Sequence, residues 1–287
     1  TPTSHGAGAT PSRTTAKMPT MIRMIRCAQL ALLLSSFTSA EEKGDLMAPL
    51  LLGAMGGRCL GPGEASDVLH LHQAYFDGSN LNGVGPDKEK PEELRLVNVS
   101  TSKTGLQIDA IVTASDTYDA AESGAQASKN GIFNGFFQVN MRAGTVKKPG
   151  EGGFDGRTQA EFTIRFIEAI SQKDYAMKDI LFSFYDLDQA KQNANTECLA
   201  WDDANSTLIT TATTELVEIP LAGGMVEYCS TETGTGKDNP TGPKNITQQQ
   251  ADRTGVVIGK DVNTFRFNFS IAFGKTESGR NLMMSID

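Results

Sequence analysis

The chain has 287 residues, with 26 Lys and Arg against 34 Asp and Glu, a formal net charge of −8. That balance repels phosphate backbones, and no basic cluster with interleaved aromatics offsets it, which argues against nucleic acid as a partner. Three histidines and four cysteines, with no Cys-x-x-Cys spacing, make a zinc site a poor reading.

Residues 1 to 17 lack an initiating Met and are rich in Thr, Pro, Ser, Gly and Ala, a composition that builds no core. They read as a non-native or disordered leader. Between Met18 and Ala40, Arg23 and Arg26 precede the apolar run Ala28 to Leu34, and Thr38-Ser39-Ala40 supplies small residues for cleavage. That order is the layout of a secretory signal peptide. Its apolar part is shorter than the roughly 20 residues a bilayer span needs, so no membrane span is expected in the given chain. Cleavage would remove Cys27 with Arg13, Lys17, Arg23 and Arg26 and no acidic residue, leaving a more acidic secreted or cell-surface protein. Residues 41 to 66 read as a linker, with Cys59 in the glycine-rich stretch Gly56 to Gly63.

From residue 67 to 287 the pattern is alternation of apolar and polar residues rather than a helical period. Strands are expected over Val68 to Phe76, Leu94 to Val99, Leu106 to Val112, Ile132 to Met141, Glu161 to Ile167 and Ile180 to Leu187. More follow over Leu208 to Ile219, Met225 to Cys229, Gly255 to Ile258, Thr264 to Phe273 and Asn281 to Asp287, the last without a polar tail, as if cut. In Thr264 to Phe273, Phe265, Phe267, Phe269 and Ile271 alternate with Arg266, Asn268 and Ser270, the pattern of a half-buried strand. Only Thr117 to Ala127 and Thr247 to Asp252 read as helical. Strands separated by turn-rich loops predict an all-β fold, an antiparallel, jelly-roll-like β-sandwich.

In an oxidising compartment Cys198 and Cys229 are the plausible disulfide, and Cys59 is left as a free thiol or an intermolecular bridge. Asn98, Asn205, Asn245 and Asn268 head four Asn-x-Ser/Thr sequons, which gain weight from the leader.

The most distinctive local pattern is Phe182-Ser183-Phe184-Tyr185-Asp186-Leu187-Asp188. A strand that runs into two carboxylates two residues apart sets both on one face at a sheet rim. Such oxygens suit a hard cation, with Glu197, Asp202, Asp203 or Asp238 completing the shell that calcium takes. A strand end with two solvated carboxylates is the alternative. Asp77 to Gly83 is dense in oxygen side chains but fails the EF-hand spacing, and a turn fits better. His70 and His72 share a strand face and read as a surface or packed pair. Trp201, the single tryptophan, either stacks on a sugar ring or covers a core edge.

Phe182 to Asp188, Gly234 to Pro240 and Thr264 to Phe273 followed by Gly279-Arg280-Asn281 together resemble an uncharacterised secreted β-sandwich module of marine microalgae and some bacterial surface proteins. The resemblance covers residues 160 to 287. It implies an extracellular setting and cation binding at Asp186 and Asp188, and it supplies no catalytic residue.

These patterns predict a non-enzymatic binding or adhesion module, stabilised by the disulfide and by calcium, with an extracellular glycan or a surface protein as partner. A carbohydrate-active hydrolase using Asp186 and Asp188 is a second reading, since glycosidases work through paired carboxylates. A structural wall or scale protein is a third.

Overall fold

The alternation read from the sequence becomes strands β1 (Val68–Leu69), β2 (Tyr75–Ser79), β3 (Leu94–Thr101), β4 (Gln107–Ala114), β5 (Gly131–Phe133), β6 (Phe136–Ala143), β7 (Arg157–Glu168) and β8 (Met177–Tyr185). The second half of the chain adds β9 (Glu197–Trp201), β10 (Thr207–Ile209), β11 (Leu216–Pro220), β12 (Val226–Ser230), β13 (Gly255–Val262), β14 (Thr264–Ala272) and β15 (Ser278–Ile286). This is a computed structural model, and it describes residues 68–69, 75–121, 130–143, 157–191, 194–201, 206–221, 225–243, 246–272 and 278–286. All of them fall in the unit Gly44–Asp287, the other unit being Thr1–Lys43. The leader, the signal peptide, the linker, Cys27, Cys59, His70, His72, Asp202, Asp203, Asn205 and Asn245 lie outside the described residues.

The strands form a nine-stranded sheet A, in the order β1-β3-β4-β7-β14-β9-β12-β11 with β2 also on β3, and a six-stranded sheet B, in the order β10-β13-β8-β15-β6-β5. Neighbouring strands pair antiparallel throughout. The fold is the expected all-β sandwich. Among the described residues no helix is long and apolar enough to cross a membrane.

The core lies between the inner faces of the two sheets. Phe265 and Phe267 of β14 meet Phe182 and Phe184 of β8, with ring centroids 4.0 Å apart for Phe182–Phe265 and 5.1 Å for Phe184–Phe267. Phe162 of β7 stacks on Phe267 at 5.4 Å. All five rings are buried, and each contributes about 1.5–3 kcal/mol by leaving water. Alternation continues outward. Phe136, Tyr185 and Met283 point away from this core and gather Ile246 and Ala251 into a smaller cluster on the outer face of sheet B.

Ala251 belongs to helix α1 (Gln248–Asp252), which bears out the second helical expectation. Thr247 caps it. Its hydroxyl accepts from the Gln250 backbone N–H while the Gln250 side chain accepts from the Thr247 N–H, a capping box that satisfies two otherwise unpaired donors.

Four expectations need correction. The run Ile132 to Met141 is a hairpin, β5 and β6, because Asn134 and Gly135 both take positive φ (52° and 83°) as a tight two-residue turn requires. Leu208 to Ile219 is likewise two strands in different sheets, β10 and β11. The segment expected as a turn from Asp77 begins as strand: β2 extends to Ser79, and the turn follows as a 3-10 turn over Leu81–Gly83. The described part of the first expected helix, 117–121, is not helical. Tyr118 is drawn into the core instead, edge-on to Phe162 at 5.7 Å, with its hydroxyl donating to the Asn140 carbonyl.

Candidate functional site

β8 ends at Tyr185, and the next residue leaves the strand in the left-handed region, Asp186 at φ 60°. A short polar side chain tolerates that conformation better than most. Period-two geometry therefore stops before Asp186, so Asp186 and Asp188 do not share a strand face as the spacing suggested. The chain then runs alongside residues 232–234: Gln189 N–H donates to the Glu232 carbonyl at 2.9 Å, and Gly234 N–H to the Gln189 carbonyl at 2.8 Å. The approach is so close that a Cβ on Gly234 would lie 1.5 Å from Asp188 Oδ2.

Arg280 organises the first half of the site. It shares the inward face of β15 with Leu282 and Met284, and its register partner on β6 is the core residue Met141. Glu197, at the start of β9, is inward on sheet A by the same alternation with Leu199. Arg280 Nε donates to Glu197 Oε1 at 2.5 Å, and Nη2 pairs with Asp188 Oδ1. Glu197 and Asp188 are further joined through the backbone, Asp188 N–H donating to Glu197 Oε2 at 3.3 Å and Glu197 N–H to the Asp188 carbonyl at 3.2 Å.

Arg253 organises the second half. Its guanidinium pairs with Glu215 at 2.5 Å, with Asp238, and with the Thr233 carbonyl at 3.4 Å. Asp238 also accepts from the Thr235 N–H at 3.0 Å. Buried Arg253 thus fixes the loop over 233–240 against β13.

Beside the first knot lies a cleft of about 540 Å³, bounded also by Gly234, Gly236, Asn239 and Pro240 of the loop that Arg253 holds. Asp186, Gln189, Asn239, Asn281, Gln138 and exposed Lys191 are among its walls. Among the described residues no aromatic side chain lines it. Among the described residues Asp186 forms no ion pair, and its buried Oδ1 has no hydrogen-bond partner. Gln189, 7% exposed, donates its Nε2 to the Ser230 carbonyl at 2.5 Å while its Oε1 is likewise without a partner. Burial first, then the charges of Glu197 and Asp188, push the Asp186 carboxyl up to about 8. Burial also carries Glu197 up to about 7 against the pull of Arg280. Asp188 is raised by burial, with Arg280 opposing. Asp238 ends below the usual carboxylate range because the hydrogen bonds at Thr235 and the charge of Arg253 outweigh its burial.

The structure thus brings Asp186, Asp188 and Glu197 to one cleft and turns Asp238, on the loop above, toward Arg253. Arg280, Arg253, Glu215, Gln189 and Gly234 were not among the candidates. An arginine in phase with Leu282 and Met284 was the available signal for Arg280. Among the described residues, the one trio of His, Cys, Asp or Glu ligand atoms lying within 4.8 Å of one another is Cys198, Glu227 and Cys229. Those two sulfurs are already joined as the expected disulfide, across directly paired residues of β9 and β12. Trp201 is elsewhere, half-buried against the core edge and stacked on Tyr228 with centroids 5.3 Å apart. Asn98 sits in β3 at φ 61°, and Asn268 in the middle of β14; both are half-buried.

No protein-family model matches the chain, and no curated protein matches its sequence. Among solved structures it is similar to the N-terminal domain of a Streptococcus gordonii adhesin (15% identity, TM-score 0.39), covering 68% of this chain and 45% of that one. The adhesin domain of PrgB from Enterococcus faecalis gives 16% identity and a TM-score of 0.41, over 80% of this chain and 74% of that one. Glucan binding protein C of Streptococcus mutans gives 10% identity and a TM-score of 0.39, over 67% and 56%. Likeness at this level decides nothing about ligand or partner.

Proposed function

We propose that the chain is an extracellular or cell-surface β-sandwich that binds a polar partner, an extracellular glycan, in the cleft beside Asp186. The observation that carries this reading is the pairing of Arg280 with both Asp188 and Glu197. It removes the second free carboxylate that glycoside hydrolysis uses and leaves Asp186 as the one carboxyl without a counter-ion in a cleft walled by amides. Amide and carboxyl groups gathered at one rim of the sandwich are suited to hydroxyl-rich ligands, which they hold by hydrogen bonds. Secretion, the signal peptide and glycosylation at Asn98, Asn205, Asn245 and Asn268 belong to the same proposal.

A glycan array probed with the secreted protein, followed by calorimetry on the strongest hit, tests it. Binding lost in Asn239→Ala and retained in Trp201→Ala places the ligand in this cleft. Binding lost in Trp201→Ala and kept in Asn239→Ala would move the site to the Trp201–Tyr228 pair. No glycan bound, or release of sugar from a bound polymer, rejects the reading.

A further inference from the structure

We infer that the Cys198–Cys229 disulfide is a site of thiol exchange: a small thiol enters the pocket over it, bonds to Cys229 and loosens a wall of the cleft. The inference rests on the proposed role of the cleft for its consequence, but its test contains no glycan, so the two stand or fall separately.

Sheet geometry aims the disulfide outward. Leu199 belongs to the core, so its neighbour Cys198 projects from the outer face of sheet A. Register puts Cys229 directly beside Cys198, and Val217 directly beside Cys229, on that same face. A pocket of about 400 Å³ opens there, with Cys198, Cys229, Val217, Ile219, Arg157 and Gln189 among its walls. Its size falls within the range of small-molecule sites.

The charges beside the two sulfurs differ. Arg157 Nη1 lies 4.0 Å from Cys198 Sγ, whereas Glu227 Oε2 lies 3.5 Å from Cys229 Sγ. Glu227 is itself answered by Arg157 and by the Ser270 hydroxyl, which donates to it at 2.9 Å. A cation stabilises a thiolate, and the more stable thiolate leaves faster. An entering thiolate therefore attacks Cys229 Sγ and forms a mixed disulfide. The bond to Cys198 breaks, and its electron pair stays on Cys198 as a thiolate beside Arg157. A second small thiol attacking the mixed disulfide releases the oxidised small disulfide and leaves both cysteines reduced.

Both cysteines adjoin the cleft. Cys198 follows Glu197, the partner of Arg280. Cys229 precedes Ser230, whose carbonyl accepts from Gln189 Nε2 at 2.5 Å, and Gln189 lines the pocket and the cleft alike. Farther along, the Glu232 carbonyl accepts from the Gln189 N–H at 2.9 Å. A thiol held at Cys229 thus bears on Gln189. With the staple open, the segment over 229–234 is free to draw away from residues 188–190.

The intact protein, incubated with reduced glutathione at mildly alkaline pH in increasing urea below the unfolding transition, provides the test. Free thiols are trapped by alkylation and the adduct is located by peptide mass spectrometry. One glutathione per Cys198–Cys229 pair is expected, on the Cys229 peptide, at a rate that urea does not change. The Gln189 and Gly234 amides should then exchange hydrogen about tenfold faster, while the amides of β14 stay as they were. Arg157→Gln, checked for its fold by circular dichroism, should react about tenfold more slowly, and Arg157→Lys at close to the parent's rate. A rate that climbs with urea in step with unfolding would mean that the folded pocket admits no thiol, and the inference falls. It falls equally on an adduct at Cys198, on equal rates for Arg157→Gln and the parent, or on amide exchange unchanged by the adduct.

Discussion

Glu197 of sheet A and Arg280 of sheet B meet at 2.5 Å across one end of the sandwich, each at a strand position whose alternation points it inward. Where a hydrophobic pair would extend the core, an ion pair closes it, and Asp188 joins from the loop after β8. That closure makes one rim of the sandwich polar and sets the walls of the cleft.

Replacing Arg280 by Leu strands Asp188 and Glu197 without their cation. The loss should be about 3–5 kcal/mol in urea unfolding, the usual consequence of breaking one side of a buried pair. Replacing Arg280, Asp188 and Glu197 together by Leu should recover much of that. A single Leu variant as stable as the parent would mean that the two acids are neutral and the knot is idle.

Gly234→Ala drives a methyl group into Asp188 Oδ2, so the segment over 232–234 must retreat from residues 188–190. A cost of about 1–3 kcal/mol is expected, from overpacking. Gly236 is the control: it has φ 71° but nothing within 4 Å of a Cβ, so its Ala variant should lose about 1 kcal/mol from backbone strain alone. Equal losses at both positions would show that the close approach does not matter.

The acid at Asp186 sets a pH dependence of definite sign. Its folded value, about 8, lies above the unfolded 3.8, so between those limits the folded chain keeps a proton that the unfolded chain has released. In chelator, stability should therefore fall as pH rises through that window and level off above it. Glu197 acts in the same direction between 4.5 and about 7. Asp186→Asn should flatten the profile of urea midpoints against pH. An unchanged slope in that variant would assign the dependence elsewhere.

Cys198–Cys229 closes a loop of sequence separation 31 and ties β12, with the edge strand β11 beyond it, to β9. The double variant Cys198→Ala/Cys229→Ala should lose about 3–4 kcal/mol by restoring freedom to the unfolded chain. Reduction of the parent under folding conditions should reproduce that loss; a reduced protein with the parent's midpoint would refute it.

Legibility in the sequence followed burial on one face versus two. β14 could be read because Phe265, Phe267, Phe269 and Ile271 alternate with polar residues over its whole length. β9 was invisible, since Cys198 and Ala200 are buried on the face opposite Leu199 and the period vanishes. The hairpin at Asn134-Gly135 merged into one run because both arms are apolar, although the dipeptide itself was the available turn signal. The acids at the cleft stood out as a cluster, whereas their arginines did not. Arg280 lies 92 residues from Asp188 and 83 from Glu197, and only the sandwich brings them together. Likewise, the turn at Asp186 reflects a single backbone conformation that spacing rules cannot foresee.

β15 is an interior strand: Ser278 to Met284 pairs antiparallel with β6, Met283 to Ile286 pairs antiparallel with β8, and Arg280 fastens it to the opposite sheet. Tension along it meets the β6 ladder and the β8 ladder in shear, one handing over to the other at Met283 and Met284, with the charged knot as a third attachment, instead of unzipping a free edge one hydrogen bond at a time. Mechanical lifetime then depends on the rate at which that whole strand is dislodged, a kinetic quantity distinct from the equilibrium stability discussed above.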